Sequence, residues 1–210
     1  MNLPQPPLLL GTDRSQARGD LVSIVTAAFA GGCRWVSLRE KDLSQAEQID
    51  LLQRLLAEAT PYEAIVTLHG DPTVAVAAGA HGAHIEAGGN ARAARKMLGH
   101  DGLLGLSVHS AEEARGADPQ MVDYLVAGPA FLTESKPGYG PQLVPDALRL
   151  LCATTSIPVI AIGGIFPHNA ADCIAAGAAG VAVMGGVMKA EDPRAEIAGL
   201  VDALAAAGQT

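Results

Sequence analysis

Short apolar runs with strong β preference alternate along this chain with Ala-rich stretches of helical character, from one end to the other. The runs predict strands at 8–13, 34–40, 64–69, 82–86, 103–109, 123–129, 159–164 and 180–186. The stretches between them predict helices near 17–31, 44–59, 72–79, 90–98, 110–116, 143–153, 168–176 and 192–207. Ser44 with Glu47, and Ser110 with Glu113, have the spacing of a capping box. Gly32, Gly79 and Gly177 fall where helices should stop.

A strand followed by a helix, eight times over, calls for parallel pairing with helical crossovers. In 210 residues that count points to one domain spanning 1–210, a single (β/α)8 TIM barrel. An open doubly wound sheet is the alternative. The longest irregular stretch, 128–142, follows the sixth strand and has the length of a lid or binding loop.

Composition narrows the function classes. Apolar residues make up 49% of the chain but aromatics only 3%, so the core is expected to be built from Ala, Val, Leu and Ile. A net charge of −8 argues against a nucleic-acid binder, yet local loops can still grip a small anion. Cys33, Cys152 and Cys173 show no CxxC and read as reduced, packed thiols. The start MNLPQPPLLLGTD has no basic n-region, and no apolar run reaches the ~18 residues of a membrane span. The expected compartment is the cytoplasm, without membrane contact.

Barrels of this class carry their chemistry at the C-terminal strand ends and the loops beyond. Those positions hold Asp13, Arg39-Glu40-Lys41, His69, Glu86, His109, Gly128-Pro129, Gly163-Gly164 and Gly185-Gly186. The glycine pairs at the ends of the seventh and eighth strands suit a phosphate grip, because glycine lets backbone N–H groups approach an anion closely. Arg39 and Lys41 lie two apart, so both are expected to face an anionic substrate, with a solvated rim paired to Glu40 as the plainer reading. Lys136 stands in the long loop, where it would close on the ligand. His109 is the acid/base candidate, since imidazole both gives and takes a proton near neutral pH. His69, Glu86 and His109 lack any short ligand spacing, so no metal site is expected there. His81, His84, His100 and His168 read as structural or surface positions.

In order along the chain, GGCRWVSLREKDLS, AAGAHGAHIE, LSVHSAEEA, GPAFLTESKPG, IPVIAIGGI and GVAVMGG resemble the motifs of the thiamine phosphate synthase/TenI superfamily. The likeness runs from about Gly11 to Met188 and implies a (β/α)8 barrel. Synthases of that superfamily carry Asn-Asp after the third strand and a later Asp after the fourth, which hold Mg²⁺. Those positions fall here on His69-Gly70 and Gly89, and the usual Gln before LREK is Ser37. The likeness is therefore closer to the TenI-type thiazole tautomerases.

That resemblance implies aromatisation of a carboxy-dihydrothiazole ethyl phosphate by proton transfer, with His109 as the catalytic residue and no metal or cofactor. Arg39, Lys41, Thr133, Ser135, Lys136, Gly163, Gly164, Met184, Gly185 and Gly186 are the expected substrate-binding residues. Thiamine phosphate synthase, joining hydroxymethylpyrimidine pyrophosphate to thiazole phosphate, is the alternative enzyme. A non-catalytic sensor of thiazole or thiamine phosphates and an unrelated phosphosugar isomerase are the other readings. The expected partner is a small-molecule thiazole phosphate. The Ala-rich stretch 192–207 suits the barrel's outer layer or a homo-oligomer contact equally well.

Overall fold

The computed structural model describes residues 3–132 and 142–208. The elements run β1 (Leu8–Gly11), α1 (Leu21–Ala30), β2 (Trp35–Leu38), α2 (Gln45–Ala59), β3 (Ile65–His69), α3 (Pro72–Ala78), β4 (Gly82–Ile85), α4 (Ala91–Leu98) and β5 (Leu103–Val108). They continue with α5 (Ala111–Gly116), β6 (Tyr124–Ala127), α6 (Asp146–Ala153), β7 (Val159–Ile162), α7 (Ala170–Ala175), β8 (Gly180–Val183), α8 (Gly185–Met188) and α9 (Pro193–Ala207). Each strand pairs in parallel with the next, and β8 closes on β1 through registers such as Leu8 with Val181, giving the expected eight-stranded barrel. Closure leaves no sheet edge exposed.

Local chemistry sets the helix ends. Ser44 and Glu47 form the full capping box of α2, each side chain meeting the other's backbone N–H. At α5 the box is altered. Ser110 caps the Glu113 N–H, but the Glu113 carboxylate takes the His109 N–H at 2.6 Å. Gly79 closes α3 at φ +73, a left-handed conformation that glycine adopts without a Cβ penalty. The first helix starts at Leu21 rather than near 17, because Asp20 is its N-cap and accepts from the Ser23 N–H.

Alternation along the strands sends one face outward to the helices and one face into the barrel. The inward cluster contains Leu9, Trp35, Leu103, Tyr124, Val126, Ile160 and Ala182. The aliphatic expectation thus needs a correction, since two of the few aromatics fill the barrel centre. Trp35 and Tyr124 meet edge to face with ring centroids 4.7 Å apart. Tyr124 fits because Gly105 faces it; a Cβ there would lie 2.1 Å from Tyr124 Cζ.

A buried guanidinium ties α4 to β5 and β6. Arg95 donates to the Asp123 carboxylate at 2.6 Å and to the Gly102 carbonyl at 2.6 Å, and Asp123 also accepts the Leu104 N–H. Among the described residues no helix is long and apolar enough to cross a membrane.

Candidate active site

The C-terminal mouth of the barrel is built from the loops that leave β1 to β8. Thr12, directly after β1, is fully buried and joins two of these loops. Its hydroxyl donates to Glu40 Oε1 at 2.7 Å and accepts the Arg39 N–H at 2.9 Å. Glu40 also accepts the Arg14 N–H through both oxygens at 3.1 Å. Burial pushes the Glu40 carboxyl above the ordinary range, and the bonds from Thr12 and Arg14 only partly offset that push. Glu40 is therefore an internal clamp of the rim and not the partner of the flanking cations.

Arg39 is half-buried and Lys41 exposed at the rim. Lys41 Nζ pairs with Glu86 Oε1, at the end of β4. That hydrogen bond, then the Lys41 charge, holds the Glu86 carboxyl below its usual range. Partial burial of Asp13 opposes its ionisation, but bonds from Ser15 and Gln16, with the Arg39 charge, outweigh it and lower its pKa. The cross-strand pair of Lys41 with Glu86 escaped the sequence reading, which looked for a partner beside Lys41. Residues 45 apart meet only because β2, β3 and β4 run side by side.

On the opposite side, the glycine pairs lie beyond their strands rather than at the strand ends. Gly163 and Gly164 form the loop after β7 with φ of +107 and +62. Gly185 and Gly186 open α8, a short helix that the sequence reading absorbed into strand eight. The Val187 and Met188 N–H groups bond the Met184 carbonyl at 3.1 and 2.9 Å, while the N–H groups of Gly185 and Gly186 precede the first bond of the helix. A Cβ on Gly186 would stand 3.3 Å from Phe166, so the two glycine loops share one side of the mouth. Asn169 braces this side, donating to the Gly164 carbonyl at 2.9 Å and accepting the Phe166 N–H at 2.8 Å. Met184 is the N-cap residue of α8 and is half-buried.

His109 follows β5 directly and is exposed, with Nδ1 3.5 Å from the Gly128 carbonyl. His69 ends β3, its ring 4.7 Å from that of His84. Thr133, Ser135 and Lys136 lie outside the described residues.

The match to known proteins agrees with this architecture. Residues 8–187 fit the family model described as thiamine monophosphate synthase. The chain belongs to that family. Among its relatives, a putative thiamine-phosphate synthase of Geobacter sulfurreducens is 40% identical over 189 residues, 89% of either chain. The thiamine-phosphate synthase of Moorella thermoacetica is 38% identical over 172 residues, 81% of this chain and 82% of that one. The solved thiamine phosphate pyrophosphorylase of Pyrococcus furiosus superposes with a TM-score of 0.85 at 30% identity, covering 95% of this chain and 96% of that one. Family membership places the chain in thiamine biosynthesis.

The family's Mg²⁺ does not fit the residues present at the positions that resemblance assigns to it. Gly70 and Gly89 offer no carboxylate, and a Cβ on Gly89 would crowd the Glu86 carbonyl at 2.9 Å. Asp71, one position on, caps α3 by accepting from the Thr73 N–H and hydroxyl, both at 2.8 Å. Among the described residues no group of three or more His, Cys, Asp or Glu stands ready for a metal ion.

Proposed function

We propose that the barrel mouth binds a thiazole phosphate and that the chain catalyses a step of thiamine biosynthesis on it. The names of the relatives support coupling over the tautomerisation expected from the sequence. In coupling, the thiazole ring nitrogen forms a bond to the methylene carbon of hydroxymethylpyrimidine pyrophosphate while the carbon–oxygen bond to pyrophosphate breaks. The observation that carries this reading is the family match across residues 8–187, with phosphate-compatible loops on one side of the mouth and cations on the other.

In this reading Gly163, Gly164, Met184, Gly185 and Gly186 hold the thiazole phosphate. Arg39 and Lys41 meet the charge of the leaving pyrophosphate. Thr133, Ser135 and Lys136 are the further residues assigned to substrate binding. His109 stands within the mouth to shuttle protons.

One observation favours tautomerisation as a second reading. Gly70 and Gly89 occupy the metal positions, and Asp71 is engaged as a helix cap. Aromatisation needs only proton transfer, which His109 can supply.

Two assays separate the reactions. Thiamine phosphate formation from the two substrates with added Mg²⁺ establishes coupling. Metal-free absorbance change on the dihydrothiazole tautomer, abolished by His109→Ala, establishes tautomerisation. Absence of both activities overturns the enzymatic proposal.

A further inference from the structure

Inside the barrel, below His69, the His84 ring on β4 is 3% exposed. It stands 4.7 Å from the His69 ring and 5.6 Å from that of Tyr124. Its Nε2 lies 2.8 Å from Ser107 Oγ on β5. Its Nδ1 has no hydrogen-bond partner among the described residues and packs on Gly105, where a Cβ would approach it to 2.4 Å. Burial, aided by His69, holds this ring well below the usual imidazole range, so it is neutral and one nitrogen alone carries a proton.

Two tautomers are open to a neutral ring in this setting. A proton on Nδ1 would leave a buried N–H donor unpaired against Gly105, an arrangement folded proteins avoid more strictly than an unpaired acceptor. A proton on Nε2 leaves only a lone pair there and makes Ser107 the acceptor. The serine has one proton to give. Ser107 is half-buried on the inward face of β5, two residues before His109.

We propose that His84 is a positioning residue that donates its Nε2 proton to Ser107 and thereby turns the Ser107 hydroxyl into a hydrogen-bond donor aimed at the ligand in the mouth. This rests on the reading of the mouth as the substrate site. The edge-on contact of His69 and the tilted contact of Tyr124 with the His84 ring, with Gly105 behind its Nδ1, set the direction of that donation. His69 thus gains a rigid support from beneath.

The first test is independent of the substrate. In ¹⁵N NMR of the full chain, with the signal assigned through its loss in His84→Gln, Nε2 of His84 is protonated and Nδ1 is not. A proton on Nδ1 overturns the proposal whatever the chain catalyses. The second test uses whichever of the two reactions above the chain performs. His84→Leu lowers kcat/KM by roughly tenfold, the scale of one lost hydrogen bond. His84→Gln, which retains an N–H donor, keeps activity within about threefold of the parent. In a Ser107→Ala background His84→Leu costs nothing further. Additive losses in that double variant overturn the proposal. If neither reaction is detected, the functional reading has failed while the NMR result still decides the tautomer.

Discussion

Thr12 Oγ1 donates to Glu40 Oε1 at 2.7 Å while accepting the Arg39 N–H at 2.9 Å, so one hydroxyl locks the first two loops of the barrel mouth together. Removing it by Thr12→Val leaves a buried carboxylate short of a donor. The expected loss is about 1–3 kcal/mol of stability, read by urea denaturation at neutral pH. An unchanged midpoint would show that Glu40 finds its partners without Thr12.

The pair of Lys41 with Glu86 joins two exposed side chains, 48% and 68% accessible, and such pairs contribute about 0–1 kcal/mol. Glu86→Gln should barely move the melting temperature. It releases Lys41, so affinity for inorganic pyrophosphate, measured by calorimetry, is expected to rise roughly two- to fivefold. Weaker binding would mean that Glu86 holds Lys41 in the productive place.

Gly164 adopts φ +62, and a Cβ there would meet the Leu132 carbonyl at 2.6 Å. Gly164→Ala is expected to cost about 1–3 kcal/mol and at least roughly tenfold in phosphate affinity. Gly186→Ala meets only the edge of Phe166, at 3.3 Å. Its stability change should stay under about 1 kcal/mol while phosphate affinity still falls. Equal stability losses in the two variants would contradict this contrast.

His84 supplies a pH dependence. Burial, then the nearby His69, keeps its folded-state pKa well below the 6.5 of an ordinary imidazole. The unfolded chain therefore binds the extra proton first as pH falls below about 6.5, and stability drops in that range. Above it the contribution is constant. Denaturation series between about pH 5 and 8 should show a shallower acid slope for His84→Gln than for the parent. Parallel slopes would place the titration elsewhere.

Much of the architecture was legible in the chain. Eight alternating units are local patterns, and short-range chemistry such as the Ser44 and Glu47 box acts within a single turn. The glycine pairs were recognisable as mouth elements, but their placement was not. Gly185 and Gly186 begin α8 because the backbone turns directly after Val183, which the apolar run GVAVM conceals. His84 looked like an unremarkable histidine. Its buried place emerges from the register of β4 on β5, which sets His84 opposite Gly105 and leaves room for its ring.

The sequence by itself determined the barrel, its strand order and the residues brought to the mouth, because hydrophobic period and helix caps are encoded over a few neighbouring residues. Only the tertiary structure decided which of those residues are partners. Glu40 turned inward to Thr12, Lys41 reached Glu86 across β3, and His84 met Ser107 inside the barrel. Such contacts depend on parallel register and on which side chains burial forces to find a hydrogen bond, quantities that exist only once the sheet has closed.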